Sequence, residues 1–187
     1  MSPEVLHIIK MLAIILVYSA ILRVARGFAR GAGSLAPWVP TRSEDQKQIS
    51  RLAWLGSGQT FVEIGCGSAN VSRSIAQDNP TATVIGIEIA RPLVRYVRRQ
   101  LRRHPLANLS IIRANALDYD YSEVDVIYVY GMPKTVNRQL KNVLIPQMKS
   151  GAKFISYMFD IRDRPEGETV TYPSEQTDAQ IHIYTKS

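Results

Sequence analysis

Residues 61–68, Phe-Val-Glu-Ile-Gly-Cys-Gly-Ser, constrain this chain more than any other stretch. The first four read as a buried strand, and a glycine-rich turn carries the chain straight into a helix. Gly65 and Gly67 lack a Cβ, so the turn can be tight and a ligand can approach its backbone closely. The next helix points its free N–H groups at that ligand. A second apolar strand, 83–87, ends in Glu88. A carboxylate at a second strand end, about 20 residues past the turn, is where nucleotide-binding α/β folds hold a pair of ribose hydroxyls. The two features together predict a site for a ribose-bearing cofactor.

That cofactor is not read as a dinucleotide. The dinucleotide fingerprint is G-x-G-x-x-G/A, and this chain places Asn70 where the last small residue belongs. A glycine there would allow close helix–strand packing around a pyrophosphate. Its absence counts against NAD and FAD.

Around the turn, strands and helices alternate. Thr41 or Ser43 can cap a helix running to about residue 55, with Glu44 and Asp45 suited to its first turn. Strands are expected at 61–64, 83–87, 109–113, 125–130 and 153–159. Helices are expected at 69–77, at 91–103 behind Pro92, and at 135–148. A last pair of strands, 168–171 and 179–185, reads as a hairpin at the sheet edge. The pattern predicts an α/β fold: a Rossmann-like, seven-stranded, mostly parallel sheet with helices on both faces. Ligands bind such sheets at the C-terminal strand ends, where Gly65, Glu88, Asn115 and Tyr130 fall.

The chain has 187 residues, enough for one domain with a real core and little more. Its one cysteine, Cys66, excludes an internal disulfide framework. Cys66 reads as a small filler of the turn rather than a nucleophile, because no histidine lies near it in sequence to activate it. His7, His104 and His182 are scattered, so no metal-ligand cluster is expected.

Residues 5–22 are almost wholly apolar, interrupted by His7, Lys10 and a few small polar residues. Their length nearly matches a bilayer core, and Lys10 lies near one end, where it can snorkel to the headgroups. Glu4 precedes the run and Arg23, Arg26 and Arg30 follow it, the reverse of a secretory signal. The expectation is an N-terminal transmembrane helix, with a buried or interfacial amphipathic helix as the alternative. The positive flank puts the following domain on the cytoplasmic side. The expected organisation is a membrane anchor at 1–26, a Gly- and Pro-punctuated linker at 27–40 with Trp38 at the interface or capping the domain, and a ligand-binding domain at 41–187. Net charge is +7. Arg91, Arg95, Arg98, Arg99, Arg102 and Arg103 crowd one helix, 91–103, which reads as a solvated face or as a contact with anionic lipids. RNA is the less favoured partner, because no aromatic platform accompanies the arginines.

The E-x-G-x-G form of residues 63–67, with Glu88 behind it, resembles motif I and its successor in class I, seven-β-strand methyltransferases, which bind S-adenosylmethionine. Val39-Pro40-Thr41 before the first helix and Tyr130-Gly131-Met132-Pro133 after the fourth strand narrow the likeness. They resemble the small membrane-anchored protein-lysine methyltransferases of the ATP synthase c-subunit and the adenine nucleotide translocase, and their prokaryotic relatives. The resemblance covers almost the whole chain. It implies that Glu63, Gly65, Cys66 and Gly67 cradle the methionine part of the cofactor, with Thr41 touching its carboxylate. It implies Glu88 on the ribose hydroxyls and Asn115 beside the adenine, where relatives usually carry aspartate. Tyr130, Met132 and Pro133 would line the channel for an acceptor lysine, although Tyr130 also reads simply as a packed strand-end aromatic. Relatives tend to have aspartate two places after the second glycine, where this chain has Ala69. The implied partner is a membrane protein bearing that lysine, and the implied location a prokaryotic inner membrane, with the mitochondrial one as alternative. Two other readings stay open: an RNA or small-molecule methyltransferase on the same fold, and a non-catalytic membrane adaptor. The lack of an N-P-P-Y-type motif after the fourth strand counts against methylation of amino-purines or glutamine.

Overall fold

In a computed structural model of the protein, residues 5–7, 10–19, 39–162 and 167–187 are described. Helix α1, residues 10–19, belongs to a separate compact unit from the sheet domain. Its large apolar side chains, among them Met11, Leu12, Ile14, Leu16 and Tyr18, are exposed. Among the described residues no helix is long and apolar enough to cross a membrane. Residues 20–38, with the expected linker and Trp38, lie outside the described residues, as do 1–4 and 8–9.

The sheet domain runs α2 (Ser43–Ala53), β1 (Thr60–Ile64), α3 (Asn70–Asp78), β2 (Thr83–Glu88), α4 (Arg91–Arg103) and β3 (Leu109–Arg113). A 3-10 turn (Ala116–Asp118) leads to β4 (Val126–Val129). A π-helical stretch (Thr135–Leu140) continues into α5 (Lys141–Gln147), followed by β5 (Lys153–Tyr157), β6 (Glu168–Pro173) and β7 (Gln180–Thr185). The strands form one sheet in the order β3-β2-β1-β4-β5-β7-β6. The first five are parallel, and β7 runs antiparallel between β5 and β6.

The central strands are apolar on both faces, as a parallel sheet covered by helices requires. Phe61, Val84, Ile111, Val126, Tyr128 and Tyr157 pack on one side with residues of α2, α3 and α4. Val62, Ile64, Ile87, Ile127, Val129 and Phe154 pack on the other with Val136, Leu140 and Leu144. Gly86 in β2 is dictated by this packing: a Cβ there would come within 2.8 Å of both Cys66 Sγ and Ile111 Cδ1. The glycine makes room for the buried cysteine of the neighbouring turn.

Several boundaries differ from expectation for local reasons. Neither Thr41 nor Ser43 caps α2; Arg42 holds that position and no side chain makes the cap bond. Helix α2 ends at Ala53 rather than residue 55, because Trp54 turns left-handed at φ 43°. Helix α3 starts at Asn70 rather than Ala69, since Ala69 itself is left-handed (φ 58°). Strands β4 and β5 stop earlier than expected, at Val129 and Tyr157. The expected hairpin forms, but its second strand lies inside the sheet and its first at the edge.

Candidate functional site

Strand register assembles the site. In β1, Ile64 sits opposite Ile87 of β2 and Val129 of β4. Gly65, Glu88 and Tyr130, the next residue on each chain segment, therefore meet at one level above the sheet. The turn after β1 bends back sharply: Gly65 and Gly67 adopt φ 66° and 54°, values an L side chain adopts only with strain. Ala69 shares that strain. Its N–H donates to the Cys66 carbonyl at 2.6 Å, and the buried position of its methyl anchors the turn.

Each carboxylate of the site is tied to the turn. Glu88 Oε2 accepts from Gly67 N–H at 2.9 Å and Oε1 from Ala90 N–H at 2.7 Å. Two oxygens have about four lone-pair sites, so the same carboxylate retains acceptor capacity for ribose hydroxyls. Glu63 Oε2 accepts from both the N–H and the hydroxyl of Ser72, at 2.8 and 2.5 Å. That bond clamps the end of β1 to the first turn of α3 and uses a helix N–H that no backbone carbonyl can satisfy. Burial pushes the Glu63 carboxyl up to about 7, helped by the nearby Glu88 charge and opposed by the Ser72 bonds. Burial, with the Glu63 and Glu88 charges, pushes the Cys66 thiol well above its ordinary range. Cys66 is buried in the space that Gly86 leaves, the packing position its sequence context suggested.

A small solvent-open cleft lies over the turn. Val39, Pro40 and Thr41 form one wall; Glu63, Gly65, Cys66 and Ser68 form the floor; Asn70 and Val71 bring the start of α3; Tyr130 closes the far end. A Cβ at Gly65 would meet nothing within 4 Å, so the backbone there is open on the cleft side. Thr41 is fixed by a 2.6 Å hydroxyl pair with the buried Tyr128. Tyr130 packs edge-on against Tyr157, with ring centroids 4.8 Å apart, and donates its hydroxyl to Met158 Sδ at 3.1 Å. A thioether is a weak acceptor, so that hydroxyl is oriented yet able to exchange partners.

The expected residues do not all line this cleft. Thr41, Glu63, Gly65, Cys66 and Tyr130 do. Gly67 and Glu88 do not line it; they bond one another next to the turn residues that do. Asn115 stands two residues past the end of β3 and caps the 3-10 turn, accepting from Leu117 N–H at 3.2 Å and donating to Asp118. Met132 and Pro133 are exposed beyond Tyr130, outside the cleft lining.

Sequence reasoning missed the support behind the cleft wall. Asp45 of α2, fully buried, accepts from Tyr157 (2.5 Å), Thr177 (2.9 Å) and Ser174. Burial alone would raise its carboxyl, but these hydrogen bonds hold it below the usual carboxylate range. Arg42–Asp178 and Arg51–Glu175 pairs join the same elements at the surface. The only hint in sequence was Asp45's place in a first helical turn, which suggests a solvent-facing dipole partner. The loop joining β6 to β7 made it an anchor instead.

The residues present suit S-adenosylmethionine. An open glycine turn and helix start serve the polar methionine end, two carboxylates serve cationic and hydroxyl groups, and apolar Val39, Pro40 and Ile64 line the same space.

A model of the ANTKMT methyltransferase domain matches residues 63–167. A protein-lysine N-methyltransferase of Saccharolobus islandicus is 23% identical over 149 residues, covering 79% of this chain and 92% of its own. A tRNA (guanine-N(7)-)-methyltransferase of Acidithiobacillus ferrooxidans is 29% identical over 132 residues, 68% of this chain and 58% of its own. Among solved structures, an RNA methyltransferase from Salinibacter ruber, in complex with S-adenosyl-L-homocysteine, superposes with a TM-score of 0.68 at 23% identity, covering 79% of this chain and 94% of its own.

Proposed function

This chain belongs to the ANTKMT methyltransferase domain family and is an S-adenosylmethionine-dependent methyltransferase, and we propose that it methylates a lysine side chain, most readily on a membrane protein. The observation that carries the lysine reading is Tyr130. It ends the cleft that begins at the glycine turn, half-buried against the core with its ring on Tyr157 and its hydroxyl on Met158. The Saccharolobus relative, alike over most of both chains, supports it.

When bound, the cofactor would supply an electrophilic methyl carbon on a sulfonium, to which an acceptor nitrogen would bond as the sulfur–carbon bond breaks and the neutral thioether leaves. The chain's own part is binding, alignment and control of the acceptor's proton. Glu88 holds the ribose hydroxyls while keeping the turn in shape through Gly67. Glu63 and the first turn of α3 receive the methionine end. The lysine amine must lose its proton before it attacks, and a partly dry cleft end beside Tyr130 would favour the neutral form by desolvation. The Tyr130 hydroxyl oxygen would accept from an amine N–H, leaving the lone pair free to point in line with the methyl group.

The membrane reading draws on the apolar N-terminal run and the positive residues after it. An RNA acceptor is the second reading, favoured by the tRNA methyltransferase relative. Incubation with methyl-labelled cofactor and host membranes, beside a Glu88→Ala control, separates them. Methyl-lysine in a small membrane protein, absent from the control, supports the first. Label in nuclease-sensitive material supports the second and overturns the lysine assignment.

A further inference from the structure

Helix α4 carries Arg91, Arg95, Arg98, Arg99, Arg102 and Arg103, and all six are exposed, while Val94 and Val97 turn to the core. Among the described residues, none of the six pairs with a carboxylate. No Asp or Glu occurs anywhere from residue 89 to residue 117. Among the described residues, Arg98 is the one of the six whose side chain has a hydrogen-bond partner, the Ile111 carbonyl at 2.7 Å. Arginines at 91 and 95, 95 and 99, 98 and 102, and 99 and 103 repel one another at helical spacing, a cost that ordinary surface helices offset with interleaved glutamates. The charge is thus arranged for a partner outside the domain.

The face is a ridge. From Arg91 to Arg102 it extends about 17 Å along a straight helix, at the flank of the sheet beside the edge strand β3. One exposed aromatic, Tyr96, accompanies it. Single-stranded nucleic acid is held by grooves with several stacking rings, which this convex face lacks. A planar anionic surface fits it better. The same chain carries a second feature with a bilayer as its natural counterpart: the exposed apolar side chains of α1, with Ile14, Leu16 and Tyr18 exposed by 64–66%. One apolar element and one polybasic face together make stable membrane attachment, where either alone is marginal.

We propose that the arginine face of α4 docks the methyltransferase domain flat onto anionic lipid headgroups. Helix α4 starts three residues past Glu88, so docking brings Glu88 and the neighbouring turn to the bilayer surface, within reach of acceptors embedded there. The proposal is independent of which nitrogen is methylated, and its failure leaves that assignment untouched.

The test uses the full chain with vesicles of phosphatidylcholine alone or mixed with phosphatidylglycerol. The comparison variant is Arg95→Gln/Arg99→Gln/Arg102→Gln, which spares Arg98 and its backbone bond. Retained S-adenosylhomocysteine binding shows that the variant is folded. Wild type partitions more strongly onto the anionic vesicles, and added salt weakens it. Each arginine near the surface is worth about fivefold, so the triple variant loses roughly a hundredfold on anionic vesicles and nothing on neutral ones. Equal binding of wild type to both vesicles overturns the proposal, as does equal binding of wild type and variant to anionic vesicles. A variant that loses affinity for transfer RNA but keeps vesicle binding reassigns the face to nucleic acid.

Discussion

The buried position of Glu63 in the cleft floor predicts that cofactor binding is coupled to a proton on its carboxyl. Its carboxyl is buried in the cleft floor and pushed up to about 7, so near neutral pH it is about half ionised. S-adenosylmethionine brings a sulfonium and an α-ammonium into that cleft, and positive charge favours the carboxylate. If only the ionised form binds well, the competent fraction rises from about a tenth near pH 6 to about nine-tenths near pH 8, close to tenfold in affinity or about 1.4 kcal/mol. About half a proton leaves per cofactor bound near pH 7. Titration calorimetry in two buffers of different protonation enthalpy measures both quantities. Glu63→Gln keeps the shape and removes the titration, so subtracting it isolates the enzyme's proton from any on the ligand. Ser72→Ala removes the 2.5 Å hydroxyl bond to the charged form and moves the midpoint up by about one pH unit. The same group acts on stability without cofactor. Its folded value lies above its ordinary 4.5, so the stability it adds is complete below about pH 4.5 and lost as pH rises through about 7, close to 3 kcal/mol in all. Affinity that stays flat between those pH values after the Gln subtraction would refute the coupling.

Four further outcomes follow from the same geometry. Asp45→Ala leaves the Tyr157 and Thr177 hydroxyls without their acceptor and costs about 3 kcal/mol of stability by urea denaturation, with the cofactor affinity also reduced as the 39–41 wall loosens. Because the Asp45 carboxyl sits below its ordinary 3.8, its contribution is present above about pH 4 and disappears as acid takes pH through the lower folded value; an Asp45→Asn protein shows a shallower acid limb in its stability profile. Glu88→Ala abolishes measurable cofactor binding by calorimetry and, since Gly67 and Ala90 N–H lose their acceptor, also lowers stability by about 2 kcal/mol, whereas Glu88→Gln, whose one amide oxygen can serve only one of the two N–H groups, recovers at most about half of the stability and little of the binding. Gly65→Ala folds with a loss of about 1–2 kcal/mol from its φ of 66°, and its methyl group, entering the cleft, weakens the cofactor by at least tenfold in the same assay.

The fold class and the geometry of the glycine turn with its two carboxylates were legible in the sequence because they rest on local rules. A β-branched strand, two glycines and a helix start can be read within eight residues, and Glu88 follows at a spacing set by one strand–helix–strand unit. Strand β3 matched its expected residues, since Pro105 before it and the turn capped by Asn115 after it bound a short apolar run. Cys66 was rightly read as filler, though only the structure supplies the cause, the missing Cβ at Gly86. Asn115 kept its place near the strand end, yet its first partners are Leu117 and Asp118 in its own turn.

What the sequence determined by itself is therefore the pattern of buried strands, the glycine turn and the two carboxylates, all encoded in neighbouring residues. The tertiary structure alone decided what depends on segments distant in sequence. Strand β7 inserts between β5 and β6 because its Ile181 and Ile183 join the core face that Tyr157 and Ile155 present. That insertion carries the loop at 174–179 over α2, 129 residues away from Asp45 at Ser174, and turns a helix-start aspartate into the buried anchor of the cleft wall. Burial likewise set the proton on Glu63: sequence names the carboxylate, but only the packing around it removes the water that would keep it charged.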